Sequence, residues 1–138
     1  MVFTSTEHLK TQGRDDCLDI TDAVQAAVAK AKVTRGLATV FVTGSTAGVT
    51  TIEYESGLVK DLKDAVRRLF PEDLRYAHHD TGGDDNGFSH LRASFIGPSL
   101  TVPITDGKLQ LGTWQQIVFI DFDVRPRTRS YIVQILGE

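Results

Sequence analysis

The sequence holds one cysteine, Cys17, so no disulfide can form within the chain. A lone cysteine fits a reducing compartment, and a cytoplasmic location is the expectation. Basic residues are not in excess. Fifteen Lys and Arg face eighteen Asp and Glu, for a net charge of −3. A general nucleic-acid binder needs a basic stripe to displace counterions, so that class is set aside. No apolar run approaches the roughly 20 residues that span a bilayer. The opening "MVFTSTEHLK" has neither a basic start nor an apolar core, so no secretory signal is expected there. Repeats and low-complexity linkers are missing too.

What is present suits one globular domain over residues 1–138, with 41% hydrophobic and 24% charged residues. Thr21 is the expected N-cap of a first helix, with Val24, Ala27, Val28 and Ala31 as its apolar stripe and Gly36 closing the segment. "LATVFVTG" and "GVTTIEYES" read as strands. A second helix starts near Ser56, buries Val59, Leu62, Val66 and Leu69, and stops at Pro71. Beyond residue 90 the pattern is all strand: "HLRASFIG", "GPSLTVPI", "TDGKLQL" with its Asp-Gly hairpin turn, "QIVFIDFDV" and "SYIVQIL". Seven or eight closely spaced strands with two separated helices predict an α+β fold.

The segment "YAHHDTGGDDNGFSH", residues 76–90, concentrates three of the four histidines, three aspartates and three glycines. Imidazole and carboxylate are ligands of open, catalytic metal sites, and the glycines let the backbone fold back. The spacing matches no tight ligand motif, so a polar loop with surface histidines is the competing reading. His90, read as opening a strand, is the histidine a rigid element would aim.

Other stretches carry paired readings. "TGSTAGVTT", with Ser45 and Thr46, is either a cradle for an anion or a tight turn between strands. Glu53 and Glu55, two apart on an expected strand, offer a general base or ligand, or are simply the wet side of a sheet. Trp114 in "LGTWQQ" is a packed or interfacial residue, or a stacking wall with Gln115 as its polar neighbour. Arg125, Arg127 and Arg129 are a phosphate clamp or a solvated turn.

Taken together, "SLTVPITDGKLQLGTWQQI" (99–117), the preceding "DDNGFSHLRASFIGPS", the following "VFIDFD" and the early "FVTGSTAGVTTIEYESGL" resemble the YjbQ-like family, also called the secondary thiamine-phosphate synthase family. The resemblance runs from about Thr4 to the end. It implies a single α+β domain whose mostly antiparallel strands form a small β-sandwich, and a homotrimer with sheets packed around the threefold axis. It also implies a weak ability to join a hydroxymethylpyrimidine diphosphate to a thiazole phosphate, releasing pyrophosphate. Family members look like metal binders through histidines. Ser45 and Phe88 stand where many relatives carry histidine, whereas His78 and His90 match. The resulting expectation is a site with His78, His90 and Glu53 as catalytic groups. Ser45, Thr46, Trp114, Gln115 and Arg92 would contact a small phosphorylated substrate. His78 and His90 would be ligands of a divalent metal, zinc or magnesium. A non-enzymatic trimer that binds a phosphorylated metabolite or a metal is the second expectation.

Overall fold

The computed structural model describes all 138 residues as an α+β domain of two antiparallel sheets and four helices. Its strands are β1 (Val2–Thr11), β2 (Asp16–Asp19), β3 (Arg35–Val42), β4 (Ala47–Ile52), β5 (Ser99–Thr105), β6 (Lys108–Leu109), β7 (Gln116–Asp121) and β8 (Arg127–Gly137). The helices are α1 (Thr21–Ala31), α2 (Ser56–Leu69), the single turn α3 (His78–Thr81) and α4 (Gly87–Ile96). One sheet has the order β1-β8-β3-β5-β6 and the other β2-β7-β4. No helix is long and apolar enough to cross a membrane.

The small sheet lies between two apolar layers. Ile117 and Phe119 of β7 join the main core, with Val40, Val133 and Ile135 of the large sheet and the Val24–Ala27–Val28–Ala31 stripe of α1. Val118 and Ile120 point the other way and pack with Cys17, Val66 of α2 and Ala93 of α4. Burial on both faces explains why β7 reads as a continuous apolar run. The hairpin from β5 to β6 turns at Asp106 and Gly107, both at positive φ (51° and 72°), the backbone a type I′ turn demands.

Several local expectations change. Thr21 does not cap α1. Its hydroxyl donates to Asp19 and accepts the Ile117 N–H at 2.9 Å, which ties the helix to β7. The helix ends at Ala31 with Lys32 in the left-handed region, and Gly36 lies within β3. A Cβ at Gly36 would sit 2.0 Å from the Leu136 carbonyl oxygen, so the approach of β3 to β8 requires glycine there. In α2, Val59 and Leu62 are half-buried and Val66 is buried, but Leu69 at the last turn is 69% exposed. The helix is capped by Glu55, whose carboxylate accepts from the Gly57 and Leu58 N–H groups.

"HLRASFIG" is helix, not strand. Gly87, Phe88, Ser89, Arg92 and Ala93 are its buried positions, a helical spacing, and Gly97 at φ 101° ends it. β1 is not among the strands expected above. It alternates between exposed and half-buried positions from Val2 to Lys10, ends on the buried Thr11, and pairs with β8 throughout.

The outer face of the large sheet carries no ionised side chain over three ranks. These are Val2, Leu136, Leu37 and Pro103; then Thr4, Gln134, Thr39 and Thr101; then Thr6, Ile132, Phe41 and Ser99. Leu37, Phe41 and Leu136 are between 44% and 49% exposed there.

Candidate functional site

The histidine segment folds back between α2 and α4. The Tyr76 hydroxyl donates to the Pro71 carbonyl at 2.7 Å, which pins the start of the segment. Gly87 lies against the Tyr76 side chain, where a Cβ would come within 2.7 Å. His78 opens the α3 turn, and its ring lies over Gly82, where a Cβ would be 2.2 Å from the imidazole. His90 belongs to the first turns of α4. These constraints bring the two rings together edge-to-face, with centroids 4.7 Å apart. Both are half-buried. His79 instead packs edge-on against Tyr76.

The pair supplies two imidazoles. A catalytic zinc takes three protein ligands and a water. No group of three His, Cys, Asp or Glu side chains comes together anywhere in the chain. Within one chain, the donor set is therefore incomplete for a divalent metal.

The remaining expected residues fall elsewhere. The Thr46 hydroxyl accepts from Arg129 at 2.5 Å and donates to Asp123 at 3.1 Å, while Ser45 is exposed and makes no hydrogen bond. Arg92 is 3% exposed, and its guanidinium donates to Asp15 and to the Phe70 carbonyl. Its carbon lies 4.8 Å from the centre of the Phe88 ring. Glu53, Trp114 and Gln115 line one open cavity of about 350 Å³. Gln115 closes the turn before β7, accepting from the Gly112 N–H and donating to Thr51. Trp114 is not a core residue. It is 70% exposed, which leaves its ring face free to stack.

The three arginines of "RPRTR" have three fates. Arg129 is buried and makes two bonds to Asp121, at 2.8 and 2.9 Å. Arg127 pairs with Asp123 at 3.0 Å. Arg125 makes no side-chain hydrogen bond and borders a different cavity. Burial pushes the Asp121 and Asp123 carboxyls up. For Asp121, hydrogen bonds from Arg129, Thr11 and the Asp123 N–H outweigh it. For Asp123, those from the Val124 N–H, Asn86 and Thr46, with the Arg127 charge, do the same. Both end below the usual carboxylate range, so both are ionised near neutrality.

The carboxylates of this buried network, Asp15, Asp121 and Asp123, are not among the residues expected from sequence, whereas Arg92, Arg127 and Arg129 are, in other roles. A signal for part of it exists. Asp121 and Asp123 are two apart, as are Arg127 and Arg129 on the other side of the turn, and that spacing puts each pair on one side of extended chain.

The family model described as UPF0047 protein YjbQ-like matches residues 5–138, and the chain belongs to that family. Among its relatives, the UPF0047 protein YugU of Bacillus subtilis is 38% identical over 133 residues, covering 96% of this chain and 98% of the relative. The UPF0047 protein MJ1081 of Methanocaldococcus jannaschii is 37% identical over 131 residues, 94% of this chain and 91% of the relative. In three dimensions the chain is similar to a YbjQ-like protein of unknown function from Sulfolobus solfataricus. The TM-score is 0.95 at 33% identity, covering 100% of this chain and 99% of that one.

Proposed function

We propose that the chain is a cytoplasmic enzyme acting on small phosphorylated molecules, with thiamine-phosphate-synthase-like transfer as its testable reaction. The convergence of His78 and His90 is the observation that supports this reading. In that reaction a ring nitrogen of the thiazole phosphate attacks the methylene carbon of the pyrimidine diphosphate. The carbon–oxygen bond breaks and pyrophosphate leaves. Protonated imidazoles would donate hydrogen bonds to the departing oxygens, where negative charge develops. The Trp114 ring, with Glu53 and Gln115 beside it, is a stacking surface in a cavity that neither histidine of the same chain borders, so it would serve this reaction only across a subunit boundary. Incubating purified chain with the two precursors and measuring thiamine phosphate tests the assignment. His90→Ala is expected to remove turnover with an unchanged melting temperature; equal turnover in that variant sinks it.

The second reading, a binding module without turnover, is favoured by the isolation of the histidine pair and by the internal bonds of Arg92 and Thr46. Thermal shifts with either precursor or with zinc, in the absence of any product, would support it.

We also propose that the working form is a homotrimer joined through the outer face of the large sheet. The support is the uncharged face itself. A solvated antiparallel face is ordinarily polar and charged, and contiguous exposed apolar surface marks an interaction site.

A further inference from the structure

β4 is the last strand of the small sheet, and β6 covers β5 only at Ile104 and Thr105, so each strand keeps a free edge. The two edges are joined once, where the Val49 N–H donates to the Gly97 carbonyl at 3.0 Å. Beyond that bond they part. A cavity of about 290 Å³ opens between Thr50 and Thr51 on one side and Ser99 to Pro103 on the other. Its volume lies at the small end for ligand sites, which suits a molecule of one or two rings rather than a strand of several residues.

The ladder phase decides which backbone groups face this gap. Residues of an antiparallel strand point their N–H and C=O alternately to one neighbour and the other. The Phe122 N–H donates to Thr46, so Gly48, Thr50 and Ile52 face β7, while Val49 and Thr51 face the open edge. The Val42 N–H donates to Pro98, so Leu100 and Val102 face β3, while Ser99, Thr101 and Pro103 face outward. The outward Pro103 carbonyl accepts from Gln110 at 2.9 Å, as this phase requires. Thr51 and Thr101 have no such partner. Each lines the cavity with an N–H and a C=O side by side, and Thr101 is exposed and Thr51 half-buried, so both are reachable. A single free edge is ordinarily hydrated or blunted; here two open on one space. None of the residues lining it is ionisable. The cavity also adjoins that of Trp114, with which it shares Thr51 and Gln115.

We propose that the slot between β4 and β5 binds a flat, uncharged heterocycle of the pyrimidine type, one that carries a hydrogen-bond donor and an acceptor on adjacent ring positions. That edge exchanges two bonds with the N–H and C=O of Thr51, as a neighbouring strand would, and the ring lies against Trp114. An ionised group in the slot is a poorer fit, because no lining side chain would compensate its charge. A purely apolar molecule is poorer too, because it would strip water from the strand edges and give them no partner. The site rests on the reading of Trp114 as a stacking wall and on nothing about the histidine pair.

Titration of the ¹⁵N-labelled full chain with uracil, cytosine and 1,3-dimethyluracil, followed by amide NMR shifts, tests this. Uracil or cytosine is expected to bind saturably and to move the Thr51 amide and its neighbours. Preference for uracil marks the ligand as a ring amide, and preference for cytosine as an amino-substituted ring. The dimethylated ring keeps the shape but has no N–H, so it should bind roughly tenfold more weakly or worse. Trp114→Ala should weaken binding on the same scale with an unchanged melting temperature, since the side chain is 70% exposed. Thr51→Pro removes the outward N–H, a change that an edge strand tolerates, and should weaken it as well. Equal affinity for 1,3-dimethyluracil, unchanged affinity in Trp114→Ala, shifts confined to the histidine segment, or no saturable binding would each overturn the proposal. Binding rather than turnover is read, so failure of this site and failure of the transfer reaction are seen separately.

Discussion

Arg92 Nη1 donates to both carboxylate oxygens of Asp15, at 3.1 and 3.3 Å, and both side chains are almost wholly buried. Arg92 also donates to the Phe70 carbonyl, so one guanidinium joins the turn after β1, the end of α2 and the body of α4. Arg67 reaches the same carboxylate from α2 at 2.8 Å. The pair therefore holds the histidine-bearing helix against the sheets, and it does so from inside the protein rather than from a substrate cleft.

Removing one member of a buried ion pair leaves the other charge uncompensated, at a cost of about 3–5 kcal/mol. Arg92→Met is expected to lose stability on that scale in urea unfolding. Arg92→Met combined with Asp15→Asn should lose less than the sum of the single changes. Strict additivity would show that the two side chains do not interact.

Acid should unfold the protein through Asp121 and Asp123. Their folded pKa values lie below the ordinary carboxylate value, so the stability they contribute is fully present above the unfolded pKa of about 3.9. It is lost as pH falls through the lower, folded values. Asp121→Asn is expected to be less stable at neutral pH and to decline less steeply between roughly pH 5 and pH 2. A decline as steep as that of the unchanged chain would assign the acid sensitivity to other groups.

Cys17 should behave as an inert core thiol. It is 5% exposed, and burial pushes its pKa up to about 11, so little thiolate exists at pH 8. Labelling with a disulfide reagent is expected to be slow in the folded chain and complete after denaturation. Rapid labelling of the folded chain would contradict this packing.

The uncharged face of the large sheet should respond to a single charge. Phe41→Glu is expected to convert the proposed trimer into monomers by light scattering, with secondary structure retained, because Phe41 lies outside the main core. Thr105→Glu, at the end of β5 beyond the three uncharged ranks, serves as a control that should not alter the assembly. If Phe41→Glu leaves the assembly unchanged, another surface holds it together.

Much of the fold was legible because the relevant forces are local. The stripe of α1, the Asp106–Gly107 turn and the apolar strands follow from periodicity and backbone preference, which act over a few residues. The reading failed at α4 because "HLRASFI" mixes apolar and polar residues in a way that fits either period over so short a span. It failed at Gly36 for a different reason. That glycine is required by the carbonyl of Leu136, a hundred residues away.

The site divides in the same way. The sequence by itself determined the family and the α+β class, and the family resemblance singled out His78 and His90 as the pair to test. Only the tertiary structure decided that the two rings meet without a third ligand, and that Arg92 and Thr46 bond internally. It also decided that Arg125 alone of its trio makes no side-chain hydrogen bond. Hydrogen-bond partners and burial depend on which distant segments come to lie side by side, and residue type and spacing do not encode that pairing.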